Sequence, residues 1–152
     1  MKRYVFGKSV KGATHEKNGL PLQDNCKIEE ISDKITIIAV ADGHGSSKCP
    51  RSDRGSLIAV NTFCTVMKNY LLNYGKEKVT FLNREGDMRF AQDICEEWQA
   101  RVKQSFYKNK DGSVLDKEGN TDWKKVYSLY GTTLLGMLIT DTFVFSFQIG
   151  DG

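Results

Sequence analysis

Ile37-Ile38-Ala39-Val40-Ala41-Asp42-Gly43-His44-Gly45 is the stretch that decides how this chain is read. A continuous apolar, β-branched run has the length of a buried strand and stops abruptly at an acid, two glycines and a histidine. The glycines allow a tight turn in which backbone carbonyls approach a bound ion closely. Carboxylate and carbonyl oxygens of this kind suit a hard divalent cation. A strand followed by an ordinary polar turn accounts for the same residues, because Asp-Gly is also a frequent turn signal. Both readings stand on these nine positions alone.

Working outward, Ile35 to Ala41 is expected to be the central strand, entered through a turn at Ser32-Asp33-Lys34 from a shorter strand over Asn25 to Ile31. Tyr4 to Val10 is expected to be a first strand, and 11 to 24 a polar loop or irregular strand edge. After the glycine turn, Val60, Phe63, Cys64, Met67, Leu71 and Tyr74 recur at helical spacing, with Ser52 or Asp53 to cap the start and Gly75 to end it. A second helix is expected from about Asp87 to Tyr107, where Phe90, Ile94, Trp98, Val102 and Phe106 recur every fourth residue. These stripes complete a core face and are not ligand positions. Residues 108 to 122 read as a solvated polar loop, lacking the spacing and closing glutamate of a calcium loop. Thr132 to Ile139 and Phe143 to Ile149 read as a hairpin turning at Asp141, its second strand apolar enough for burial on both faces.

Composition narrows the function. The 152 residues favour one domain, and 39% hydrophobic with 27% charged is an ordinary globular balance. A net charge of +3 without a basic block gives no ground for a nucleic-acid partner. No apolar run approaches the ~20 residues of a membrane span, and no signal-peptide core follows Met1. Cys26, Cys49, Cys64 and Cys95 form no Cys-x-x-Cys pair, which speaks against zinc and for buried free thiols in a reducing cytoplasm.

Three acids share one local grammar: Asp24 after Gln23, Asp42 at the end of a buried strand, and Asp151 in a Gly-Asp-Gly turn after another. Strand ends converge at sheet edges, so the three are candidates to gather around metal. His44 is a candidate proton donor or a plain turn histidine; His15 is a site residue or a loop residue bonded to backbone.

Four segments carry a resemblance. Gly7 to His15 with Gly19-Leu20-Pro21-Leu22-Gln23-Asp24, then Val40 to Ser46, Tyr130-Gly131-Thr132-Thr133-Leu134-Leu135, and Gln148 to Gly152 are similar, in order, to the motifs of the metal-dependent type 2C serine/threonine protein phosphatases, closest to a bacterial branch. The resemblance implies an α+β fold: a four-layer α-β-β-α sandwich of two antiparallel sheets flanked by helices. It implies that 1–152 is the N-terminal portion of one such domain, incomplete at its C-terminal side and of little activity by itself. It implies two Mg²⁺ or Mn²⁺ ions and an accessory third. Asp42 would bridge two ions, the Gly43 carbonyl and Asp24 would join the metal shell, and Asp151 would lie near the third ion. His44 would protonate the departing alcohol. The implied reaction is hydrolysis of phosphoserine or phosphothreonine in a protein by a metal-bridged water, opposite a serine/threonine kinase.

The sequence departs from the family where its better-known members place a phosphate-holding arginine: Gly19 stands at that spacing. His15, Lys17 or Lys11 is the expected substitute. The further metal-binding acids of the family's C-terminal half do not occur in these residues. The competing function is therefore a truncated or degenerate phosphatase-like domain serving as a non-catalytic interaction module.

Overall fold

A computed structural model describes residues 4–73, 78–109 and 114–150. The elements are α1 (Ala13–Lys17), β1 (Asn25–Ser32), β2 (Ile35–Ala41), α2 (Ser52–Asn73), α3 (Lys78–Lys108), α4 (Trp123–Leu129), β3 (Leu134–Ile139) and β4 (Val144–Ile149). The four strands form one antiparallel sheet in the order β1-β2-β3-β4. Its helix-facing side packs against α2, which also packs against α3, giving an α+β fold. This is the sheet described; the second sheet expected of a sandwich is not among the described residues.

Register explains how the helix seats. Ala39 of β2 pairs with Gly136 of β3, which pairs with Phe147 of β4. Two small residues side by side leave a trough in the sheet, and the Phe63 ring of α2 fills it, stacked on Phe147 at a 6.4 Å centroid distance. A side chain at 136 would run into that ring. Ile37, Met67, Ile94 and Leu138 complete a fully buried core around it. Tyr70 meets Phe90 edge-on at 5.2 Å, and Phe90 reaches Phe145 at 5.5 Å, tying α3 to β4. A second cluster of Val102, Phe106, Val126 and Tyr130 holds α4 against α3.

The opposite sheet face is apolar and partly open. Ile28, Ile38 and Met137 align across it, with Val40 and Leu135 exposed at 42% and 43%.

Several expectations need correction. Tyr4 to Val10 is not a strand; Tyr4 and Phe6 are exposed, because no described strand pairs with this segment's backbone. It crosses the open sheet face instead, where a Cβ on Gly7 would lie 3.1 Å from Ile28 Cδ1. The loop before Asp24 contains the single-turn α1. The second helix begins at Lys78, well before Asp87. Trp123–Leu129 is a helix that the polar stretch before it conceals, capped by the Asp122 carboxylate accepting from the Lys125 N–H at 3.1 Å. β4 alternates half-buried and exposed residues rather than being buried on both faces, because it forms the sheet edge and has a helix on only one side. Asp141 does lie in the hairpin turn. All four cysteines are free, but only Cys64 is buried, where burial pushes its thiol up to about 11; Cys95 is exposed. The Gly75 cap lies outside the described residues.

Candidate functional site

The ends of β2 and β3 build the site. Beyond Ala41, the Asp42 N–H donates to Thr133 Oγ1 at 3.2 Å, and its carbonyl accepts from the Thr133 N–H at 2.8 Å and from Thr132 Oγ1 at 2.9 Å. Gly43 then bridges Thr132, and the His44 N–H donates to the Gly131 carbonyl at 3.0 Å. This pairing outlasts both strands and fixes the turn. Gly43 has no alternative residue here: a Cβ would stand 2.7 Å from the carbonyl oxygens of both Gln23 and Ser52.

Asp24 is held from both neighbours. The Gln23 side chain is buried and donates from Nε2 to Ser52 Oγ at 3.0 Å. The Gln23 carbonyl accepts from Ser56 Oγ, and Asn25 Nδ2 donates to the same Ser56 Oγ at 2.8 Å. The first two turns of α2 therefore grip the residues on either side of Asp24, leaving its own carboxylate exposed. Gly55 lets this end of α2 approach the backbone of Tyr130, where no side chain would fit.

The two acids meet. Although Asp24 is largely exposed, partial desolvation raises its carboxyl above the ordinary range, and its hydrogen bond with Asp42 and the Asp42 charge push it further. The nearby His15 and a hydrogen bond from the Gly43 N–H act in the opposite direction. Two carboxylates this close repel when both are ionised, and a bound cation would offset that repulsion. Mg²⁺ is commonly bound by one or two carboxylates together with water and substrate phosphate, and Mn²⁺ accepts the same oxygens. The donor set therefore fits such an ion. Among the described residues no group of three or more His, Cys, Asp or Glu gathers around a point, so the acids present are two. Asp151 lies outside the described residues.

Asp24 and Asp42 line a cavity of about 450 Å³ on the open sheet face, together with Lys8, Ser9, Thr133 and Gln148. His44 goes elsewhere. Its imidazole lines a separate cavity of about 250 Å³ on the helix side, walled by Ile94, Trp98, Leu134 and Ile149. It lies over Gly131, where a Cβ would be 2.7 Å from His44 Cδ2. Asp42 and His44 are two positions apart in sequence and diverge to opposite sides of the sheet end. Of the proposed substrate cations, His15 is half-buried beside Asp24, whereas Lys17 is exposed at the end of α1.

Sequence reasoning did not find the supports. Gln23, Asn25, Ser52, Ser56, Thr132 and Thr133 position the acids, and they come together only through pairing across the fold. The local signal is the spacing of Ser52, Gly55 and Ser56, small residues on one side of the start of α2.

A family model described as Protein phosphatase 2C matches residues 11–152. No curated protein and no solved structure matches the chain.

Proposed function

The chain belongs to the protein phosphatase 2C family, and from that premise we propose that it is the metal-dependent hydrolase module of a phosphoserine/phosphothreonine protein phosphatase. The observation that carries this reading is the meeting of the Asp24 and Asp42 carboxylates at a sheet end. Asp24 and Asp42 would hold the Mg²⁺ or Mn²⁺ together with the Gly43 carbonyl, and Asp151 would lie near an accessory third ion. When bound, the metal supplies Lewis acidity, lowering the pKa of water and offsetting phosphoryl charge.

The chain's own residues do the rest. Thr132 and Thr133 hold Asp42 in place, and Gln23 and Asn25 hold Asp24, so the acids are oriented before any ligand arrives. His15 places positive charge beside Asp24 when protonated and is the better candidate for the substrate phosphate than Lys17. Gly19, at φ +65° with open space around it, brings no side chain to that task. His44 is anchored through its backbone while its imidazole is exposed, and turning that ring toward Asp42 would deliver a proton to the leaving seryl or threonyl oxygen.

The family's two-sheet sandwich is part of the same proposal. The open apolar face at Ile28, Ile38, Val40, Leu135 and Met137 supports it, because a second sheet would bury what these residues expose. Residues 1–152 would then be part of one domain. The four free cysteines accord with a reducing, cytoplasmic setting, and no helix among the described residues is long and apolar enough to cross a membrane.

The non-catalytic reading rests on the donor count, since only two acids gather among the described residues. The two readings separate in one assay. With Mn²⁺ and an aryl phosphate, the protein is expected to hydrolyse substrate, chelator to abolish the activity, and Asp42→Ala to lower it by about 10²-fold or more. Activity unaffected by Asp42→Ala removes the catalytic assignment.

A further inference from the structure

Lys8 shares a cavity with the two acids. Lys8, Ser9 and Val10 are consecutive residues of the segment that crosses the open sheet face, and all three line the cavity of Asp24 and Asp42. Gly7 marks the crossing point, because a Cβ there would lie 3.1 Å from Ile28 Cδ1 and 3.7 Å from Cys26 Sγ. Cys26 stands two residues after Asp24 and lines the same cavity. Two residues of extended chain span about 7 Å. The flexible four-carbon stem of Lys8 starts one residue past the crossing, which brings its ammonium within reach of the acid end.

Three observations point to an anion between them. First, Lys8 is the only Lys, Arg or His lining this cavity among the described residues, and no ion pair or hydrogen bond among those residues engages its ammonium. Second, the cation that acts on Asp24 is His15, which is not part of the cavity lining, so Lys8 is not the counter-charge of the acids. Third, Thr133 Oγ1 accepts from the Asp42 N–H at 3.2 Å, which leaves its hydroxyl proton for another acceptor inside the cavity. A volume of about 450 Å³ lies within the range of small-ligand sites and has room for a phosphoryl group on its seryl or threonyl stem.

We propose that Lys8 is the cation that holds the substrate phosphoryl group, in the role that Gly19 leaves open, with the Thr133 hydroxyl as a second donor. The identity of the anion rests on the phosphatase reading. Lysine holds phosphate as a point charge with three rotatable donors, where arginine grips two oxygens in a fixed fork. Charge rather than direction then sets recognition at this position, and an arginine at 8 preserves it.

The test measures binding and turnover separately. Inorganic phosphate is titrated calorimetrically into the chain in excess Mg²⁺, and KM for an aryl phosphate is measured with Mn²⁺. Lys8→Gln is expected to weaken phosphate binding and to raise KM, each by about tenfold or more. Lys8→Arg keeps both within about threefold of the unmodified chain. Lys34→Gln, which removes the same charge at the far end of the sheet, leaves both within about twofold. Mn²⁺ binding by Lys8→Gln should be no weaker than that of the unmodified chain, which separates a phosphate contact from a disturbed metal site. Position 8 is exposed, so these changes leave the core intact, and thermal unfolding by circular dichroism checks it. Unchanged phosphate affinity and KM in Lys8→Gln, an equal loss in Lys8→Arg, weaker Mn²⁺ binding that matches the loss, or no phosphate binding to the unmodified chain would each overturn the proposal. If the protein shows no turnover, the phosphatase reading fails and the calorimetric arm still decides: phosphate binding that depends on Lys8 upholds the anion site, and phosphate binding indifferent to Lys8 overturns it.

Discussion

Gln23 and Ser52 are joined side chain to side chain at 3.0 Å across 29 residues of sequence, and this bond links the loop carrying Asp24 to the first turn of α2. Gln23 is buried, so its amide has little water to turn to. Ser52→Ala is expected to leave that donor without its partner and to cost about 1–3 kcal/mol, read as a lower urea midpoint at unchanged slope. Ser52→Thr retains the hydroxyl and should recover part of the loss. Equal midpoints for wild type and Ser52→Ala would show that the bond does not hold the loop.

Asp24 and Asp42 oppose each other in the folded chain, which gives Asp42→Asn two opposite effects. Without metal, the substitution removes the charge that pushes the Asp24 carboxyl upward and should raise the melting temperature at neutral pH. With Mn²⁺ at about a hundred times its dissociation constant, the unmodified chain gains about 2.7 kcal/mol, and Asp42→Asn should lose most of that gain. Paired thermal melts with and without Mn²⁺, supported by calorimetric titration, read both effects. A metal-free melt that falls on substitution contradicts the repulsion; a Mn²⁺ gain that survives it contradicts the metal assignment.

Gly136 and Phe63 form a size pair that can be exchanged. Gly136→Ala forces the Phe63 ring out of the trough and is expected to cost about 1–3 kcal/mol. Phe63→Leu alone leaves a void and costs a similar amount. Together the two changes should cost less than their sum, giving a coupling of about 0.5–2 kcal/mol in a double-mutant cycle. Strict additivity would mean that the trough is not what seats α2.

How much of this was legible in the sequence depended on whether the information was local. The run from Ile35 to Ala41 and the fourfold spacing from Phe90 to Phe106 record burial directly; the first is β2 as expected, and the second lies within α3, which extends back to Lys78 beyond the apolar stripe. The segment from Tyr4 to Val10 has a strand's composition, but a strand exists only with a partner, and none of the described strands pairs with it. Trp123, Val126, Tyr127 and Tyr130 carry a helical pattern too short to stand out beside a long polar stretch, although the Asp122 cap marks its start. In the site, Asp24 and Asp42 could be named from motif order, but their meeting depends on the register of β1 with β2, where Asn25 pairs with Ala41. The divergence of His44 follows from the Gly131 contact, which no spacing in the sequence reveals.

Glu29 supplies a pH dependence away from the site. It projects from β1 onto the helix side and meets Lys68 Nζ of α2 and Lys27 Nζ at 2.9 Å, the Lys68 contact being 2.6 Å. Partial burial raises its carboxyl, but hydrogen bonds from Lys68 and Lys27 and their charges outweigh that, and the net shift is downward from 4.5. A carboxyl whose folded pKa lies below its unfolded value contributes stability above the unfolded pKa and loses it as pH falls through the folded one. Glu29→Gln should therefore destabilise the chain at pH 7 by about 1 kcal/mol at most, since surface pairs contribute little. The difference from wild type should shrink below about pH 4.5 and vanish once Glu29 is protonated in both states. Urea unfolding of the two proteins between pH 7 and pH 3 measures it. A difference that stays constant over that range would assign the loss to packing of the Glu29 stem rather than to its charge, and one that grows toward low pH would reverse the sign of the shift.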